Sequence, residues 1–381
     1  MKGLSRTAHT FASSEGLNMQ SQILFGFAFL FGGVAVVSRS SAADKPEFPF
    51  KDGDRVAWVG SSSTNIGVWP KTMEFLLHSR HPELKIEFKK QSSGGGTFAT
   101  GVEKLDGWLD DFKPTLVVFN YGGNDANAGE KGLPKFRENI EKCVAKVQAH
   151  KARFLFSTNQ AADVRKATKL ATERRKLYAD ALLAFAQEKK WRAVDVFHPL
   201  EQLQAGGQKE NGAYTILKDT IHLTDSAYIA WGYFLYEGLN PPAAVSAAEF
   251  TTKGEVVKTT RCKVTEVKSS DNGLSFTRAD EVLPILPPII APPRKYVPLE
   301  KLSDYRLAIT GLSQGKYEVF CEGKLIGETD AAALAKGVNL NSLLLDSGKP
   351  APWDELAKQL WAGKDLEQIG KTKWRFEVKR K

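Results

Sequence analysis

From about residue 55 to residue 237, short apolar runs alternate with longer stretches whose apolar positions recur every three or four residues. The runs predict strands over 55–59, 85–90, 115–120, 153–158 and 192–196, and the longer stretches predict helices over 69–78, 102–112, 133–150, 164–189 and 225–237. Strands that alternate with helices indicate a parallel sheet covered on both sides. Leu116-Val-Val-Phe119 fits that burial, being apolar toward both faces. A doubly wound α/β domain over about 44–245 follows.

The pattern changes after Pro241-Pro242. Short strands are predicted over 255–258, 262–268 and 274–278, with Asp271-Asn272-Gly273 turning between the last two. Residues 283–298 hold prolines at 284, 287, 288, 292, 293 and 298, a density that suits a stiff, extended connector. Further strands are predicted over 305–310, 316–321, 325–329 and 373–378, with helices over 331–335 and 353–362. The C-terminal part therefore divides into β-hairpins plus connector, 246–300, and a small β-rich mixed accessory domain, 301–381. No solenoid-type repeat is present.

Residues 1–43 read as a leader rather than as fold. Lys2 and Arg6 precede an apolar run from Ile23 to Val37, and Ser41-Ala42-Ala43 follows it. That order predicts a secretory signal peptide cleaved after Ala43 and a protein exported to the periplasm or beyond the cell. Met19 is an alternative start. The run falls short of the roughly 20 apolar residues a membrane span needs, so no stable span is expected after cleavage.

The whole chain of 381 residues carries a formal charge of +9. Lys2, Arg6, Glu15 and Arg39 lie in the leader, which leaves +7 on the remainder. The positive residues are scattered, and no zinc-finger spacing or aromatic–basic pattern accompanies them, so nucleic acid is not an expected partner. Of three cysteines, Cys143 falls on the apolar face of a predicted helix, whereas Cys262 and Cys321 lie in the β-rich part and can pair in an exported protein.

Chemistry concentrates where strands end. Val56 to Val59 stop at Gly60 and pass into Ser61-Ser62-Ser63-Thr64, which places three candidate nucleophiles at the carboxyl edge of the sheet. After the second strand, Gln91-Ser-Ser-Gly-Gly-Gly-Thr97 lets backbone N–H groups approach a substrate oxygen. After the third, Asn120-Tyr-Gly-Gly-Asn-Asp125 offers a side-chain amide to a developing oxyanion. Ahead of the last helix, Asp219-Thr-Ile-His222 lets a carboxylate fold back on one ring nitrogen while the other faces a nucleophile. Each loop alone is ordinary turn chemistry; four on one sheet edge are not.

These blocks resemble, over about residues 53–238 and in the same order, those of the SGNH hydrolases, the GDSL esterase/lipase family. Gly60-Ser-Ser-Ser-Thr64 is similar to the first block and puts the nucleophile on Ser62. Ser93-Gly-Gly-Gly-Thr97 resembles the second, with Gly95 as oxyanion donor, or Gly94 if the loop register differs by one. Tyr121-Gly-Gly-Asn-Asp125 resembles the third and gives the oxyanion amide to Asn124; Asp219-Thr-Ile-His222 resembles the last and completes a triad. Ser61 stands where the family usually has Asp, and Gly96 where an acidic residue is common.

The resemblance implies a doubly wound, flavodoxin-like parallel sheet of SGNH-hydrolase type. It also implies a serine esterase with Ser62, His222 and Asp219 as triad and the Ser62 N–H, Gly95 and Asn124 as oxyanion hole. Neither cofactor nor metal is expected, and His78, His81, His150 and His198 show no ligand spacing. Export and the tryptophans at 58, 69, 108 and 231 lean the substrate toward esters of decorated carbohydrate rather than another small-molecule ester. The departures at Ser61 and Gly96 motivate a second expectation, a non-catalytic carbohydrate- or surface-binding protein with a decayed hydrolase domain. A complete set of reacting groups weighs against it.

Overall fold

The computed structural model describes residues 47–242, 244–282, 284, 302–348, 350–364 and 366–381. The leader and nearly all of the proline-rich connector lie outside them.

Five parallel strands form the first sheet: β1 (Arg55–Gly60), β2 (Glu87–Ser92), β3 (Leu116–Asn120), β4 (Arg153–Ser157) and β5 (Ala193–Val194), in the order β2-β1-β3-β4-β5. The chain steps from β1 outward to β2 and returns to place β3 on the other side of β1. The strand order therefore reverses between β1 and β3, where open α/β sheets bind ligands. Side chains of β1 alternate between two cores. Val56 and Trp58 enter one; Ala57 and Val59 enter the other.

The first core is closed by α2 (Val68–Arg80) and α7 (Asp225–Gly238). Trp58 packs edge-on to Trp69, with ring centroids 5.4 Å apart, and Trp69 stacks on Trp231 at 5.8 Å. All three are fully buried, and Trp231 Nε1 donates to Ser157 Oγ at 3.1 Å. These three tryptophans are structural and lend no weight to the carbohydrate expectation. The second core lies under α3 (Phe98–Phe112), α4 (Leu133–Ala149) and α5 (Lys169–Lys189). Phe98 is its centre, meeting Phe119, Tyr121, Phe136 and Phe156. Two helices absent from the sequence expectation complete this part: the short α1 (Ser62–Ile66) and α6 (Phe197–Glu210).

The C-terminal part is β-rich. It contains β6 (Ala244–Thr251), β7 (Val256–Thr260), β8 (Cys262–Ser270), β9 (Gly273–Asp280), β10 (Asp304–Thr310), β11 (Lys316–Cys321), β12 (Lys324–Asp330), β13 (Val338–Asn339) and β14 (Lys373–Arg380). Helices α8 (Ala331–Lys336), α9 (Leu340–Ser347) and α10 (Asp354–Trp361) lie among the later strands. One sheet has the order β13-β10-β6-β7 and the other β12-β11-β14-β9-β8. Both take strands from either side of the proline-rich stretch.

A buried polar cluster fastens the two sheets. Arg278 Nε donates to Asp280 Oδ1 at 2.7 Å and its Nη2 to Ser246 Oγ at 2.6 Å, while Tyr305 OH donates to Asp280 Oδ2 at 2.7 Å. The guanidinium also lies 4.1 Å from the centre of the Tyr305 ring. The cysteines do not pair: all three are free thiols, and Cys262 Sγ donates to the Ala247 carbonyl at 3.2 Å. No described helix is long and apolar enough to cross a membrane.

Every charge in the Arg278 cluster is out of water, so removing one partner leaves the other unpaid. Asp280→Ala is expected to lower the unfolding free energy by about 3–5 kcal/mol, read as a shift of the urea midpoint. A midpoint unchanged from the parent would show that the cluster does not hold the sheets together.

Candidate active site

The site begins where β1 ends. At Gly60 an added Cβ would lie 2.1 Å from Thr64 Oγ1 and 2.7 Å from the Asn120 carbonyl, so the strand passes this point only as glycine. Ser61 then holds the N-cap position of α1 in an extended conformation, with no side-chain cap bond, and Ser62 opens the helix.

His222 is delivered by a tight loop pinned at its base. Lys218 N–H donates to the His222 carbonyl at 2.9 Å and Thr224 N–H to the Ile216 carbonyl at 2.8 Å. Within the loop, Asp219 Oδ1 accepts from the backbone N–H groups of Ile221 and His222, each at 2.7 Å. Asp219 Oδ2 is 2.9 Å from His222 Nδ1, and His222 Nε2 is 3.0 Å from Ser62 Oγ. The three predicted residues thus form one hydrogen-bonded chain. The His222 backbone N–H bond, followed by that of Ile221 and by the imidazole, outweighs desolvation and holds the Asp219 carboxyl far below the usual range. An acid that stays ionised fixes which imidazole nitrogen carries its proton.

Residues not singled out from the sequence align this chain. Gln160 Nε2 donates to the Ile221 carbonyl at 3.2 Å, and Tyr228 OH, from α7, donates to Ser63 Oγ at 3.4 Å. Their only sequence signal was position, after β4 and one turn into α7.

The second and third loops meet beside this chain. Ser93–Gly96 is a β-turn closed by Gly96 N–H donating to the Ser93 carbonyl at 2.9 Å, with Gly95 at φ +68°. Among the described residues, neither the Gly94 nor the Gly95 N–H is spent on an internal backbone bond. Both predicted registers therefore retain a donor. Asn124 Nδ2 donates to the Gly96 carbonyl at 2.9 Å, which joins the two loops and leaves one amide hydrogen uncommitted by that bond.

The departure at Gly96 has a steric cause. A Cβ there would lie 2.8 Å from the Ser93 carbonyl and 3.3 Å from the Tyr121 ring. The start of α3 is instead satisfied by Thr97, in a capping box with Thr100, and by Asp125, whose Oδ1 accepts from Phe98 N–H at 3.1 Å. Asp125 Oδ2 accepts from Gly122 N–H at 3.0 Å. Burial dominates these bonds and pushes the Asp125 carboxyl up to about 6.

Residues 57–230 match the GDSL-like lipase/acylhydrolase family, a span that includes Ser62, Gly95, Asn124, Asp219 and His222. Among solved structures, a gut microbial diltiazem-metabolizing enzyme aligns at 22% identity over 84% of this chain and 78% of its own, with a TM-score of 0.67. An acetylxylan esterase from Geobacillus stearothermophilus aligns at 14% identity over 51% of this chain and 97% of its own, TM-score 0.43. An α/β hydrolase from the metagenome of Lake Arreo, Spain, aligns at 15% over 51% and 98%, also at 0.43. No curated protein matches the sequence. The fold is of SGNH-hydrolase type with a β-rich C-terminal region, and the chain is a hydrolase acting on esters.

Asp125 gives this site a pH signature. Its folded pKa of about 6 exceeds the ordinary carboxyl value of 3.8, so between those limits the folded state binds the proton more tightly. Stability from this group accordingly falls as pH rises from about 4 to about 6 and is flat above. In urea melts across that range, Asp125→Asn is expected to remove this falling contribution. A parent-minus-variant difference that does not change with pH would overturn the assignment.

Proposed function

We propose that this protein is a serine esterase that works through an acyl-enzyme on Ser62, with His222 as general base and Asp219 as its orienting partner. The observation that carries the reading is the unbroken chain from Asp219 through His222 to Ser62, with contacts of 2.9 and 3.0 Å. His222 Nε2 takes the Ser62 proton as Oγ attacks the ester carbonyl. The negative oxygen of the tetrahedral intermediate is met by the Ser62 and Gly95 N–H groups and by the second hydrogen of the Asn124 amide. Collapse expels the alcohol, which leaves with the proton His222 carried. Water then repeats the sequence on the acyl group, with His222 again the base, and frees Ser62.

Exposure of the site supports a bulky, polar alcohol. The Asp219 side chain is 51% exposed and that of His222 29%, and Gly94 and Gly95 are exposed at the rim. A hydroxyl-rich leaving group retains its hydration on such a rim, whereas a long acyl chain would need an apolar enclosure. Short acyl esters of carbohydrate are the substrate class we assign. The leader pattern of residues 1–43 supports action outside the cytoplasm. Mass spectrometry of the exported protein should find Asp44 at its N-terminus; an intact Met1 or Met19 terminus would refute that location.

Hydrolysis of p-nitrophenyl acetate by residues 44–381 tests the chemistry. Ser62→Ala is expected to lower kcat/KM by at least about 10³-fold, and Asn124→Ala to lower kcat by about 10²–10³-fold. Equal rates for parent and Ser62→Ala would remove Ser62 as nucleophile.

A further inference from the structure

The short helix α1 leads from Ser62 into the wall of a cavity. A volume of about 400 Å³ opens between α2 and α10, lined by Ile66, Gly67, Lys71, Glu74, His78 and Trp361 among others. A second volume of about 480 Å³ continues past His78, between Leu84, Glu87 and the C-terminal residues Glu367 and Ile369. His78 borders both, so the two volumes adjoin toward the C-terminal end of α2 and form a groove there. From Pro70 to His78 the helix lines the wall over about 12 Å. The near end of the groove, at Ile66 and Gly67, lies only about 6–8 Å along α1 from Ser62.

The lining selects among ligands. Lys71, Lys85 and Lys90 face Glu74, Glu87 and Glu367, so neither a polyanion nor a polycation gains from the whole length. A fatty acyl chain would have to desolvate the same six charges. Apolar surface is supplied at intervals: Ile66 is 44% exposed, and Trp361 is half-buried, edge-on to Phe75 with ring centroids 5.5 Å apart. Glu74 accepts from Trp58 Nε1 through Oε1 at 2.8 Å, which fixes its carboxylate at the wall with Oε2 outside that bond. The fixed Glu74 carboxylate, lysine ammonium donors and the Trp361 ring suit hydroxyls and C–H faces repeated along a chain.

We propose that this groove is a subsite for a neutral oligosaccharide, which binds the glycan chain carrying the ester so that its acylated sugar reaches Ser62. The C-terminal part would then contribute to substrate selection through Trp361 and the 360–369 segment. The proposal deepens the esterase reading and rests on it only for the link to turnover.

Calorimetry on the full chain carrying Ser62→Ala, titrated with the hexaoses of xylose, mannose and glucose, tests binding without hydrolysis. At least one should bind, and Trp361→Ala should weaken it about tenfold. Ala362→Arg narrows the groove from an exposed position and should weaken the same hexaose, which keeps the test decisive if Trp361→Ala does not fold. No binding by any hexaose, or binding that neither substitution changes, would overturn the proposal. With active protein, Trp361→Ala should also lower the ratio of kcat/KM for an acetylated hexaose to that for p-nitrophenyl acetate about tenfold. A parent unable to cleave p-nitrophenyl acetate would count against the esterase reading alone, since the calorimetry judges the groove independently.

Discussion

The site depends on a buried run of side-chain hydrogen bonds across the ends of the parallel strands. Thr64 Oγ1, from α1, donates to Asn120 Oδ1 at 3.5 Å, and Asn120 Nδ2 donates to the Thr158 carbonyl at 3.1 Å. Thr158 Oγ1 in turn accepts from Val196 and Phe197 N–H at 2.9 and 3.0 Å, at the start of α6. Parallel strands leave polar backbone at their carboxyl ends, and burial there requires partners. Here those partners are also the braces that set where Ser62 leaves β1. The sheet edge is therefore braced where Ser62 sits, and the exposed Asp219 loop is held by its own backbone bonds instead.

Two carboxylates near the site are driven in opposite directions. Asp219 is half exposed, accepts two backbone N–H bonds and one from imidazole, and stays ionised deep into acid. Asp125 accepts two backbone N–H bonds as well, yet burial wins and its carboxyl rises to about 6. The number of bonds is similar; the solvent is not. The division fits the proposed esterase roles, in which a group that steadies a proton on His222 has to remain charged, while one that shapes the Gly122 turn only has to accept. Asp163 belongs with Asp219: Arg165 holds its carboxyl down to about 2 against the cost of burial.

The strands were readable wherever both faces are apolar, as in β1, β3 and β4, and less so at the margin. β2 starts two residues later than expected because Lys85 and Ile86 precede its pairing with β1 at Glu87. β5 shrinks to two residues, Ala193–Val194, since only these pair with β4. Helix α5 begins at Lys169 rather than 164 because Thr168 caps it, accepting from Ala171 N–H at 3.1 Å. α6 was hidden by Pro199 and by Gly206-Gly207, residues that lower local helix propensity while packing against Tyr214 demands a glycine at 207. β6 was hidden by its small residues: Ser246, Ala248 and Phe250 are its buried face, and only one of them looks like core in isolation. That Ser62, His222 and Asp219 meet could be read because Ser62 follows directly on β1 and the other two share one short loop with fixed local geometry. Gln160 and Tyr228, which act through tertiary contact, carried no such mark.

The C-terminal part has a physical reason to be folded onto this particular face. Arg80, almost fully buried at the end of α2, reaches Ser303 Oγ at 3.3 Å, and its carbonyl accepts from Arg261 Nη2 at 3.4 Å. Taking an arginine out of water is worthwhile only if its donors are met, so these contacts commit α2 to the β-rich part. Trp361 makes the matching commitment from the other side, packing on Phe75 and lying under Lys71 Nζ at 5.1 Å. Along α2, Lys71, Glu74 and His78 remain at the wall of the cavity that Trp361 borders. Contacts that hold both walls of a cavity leave little ordering to be done on binding.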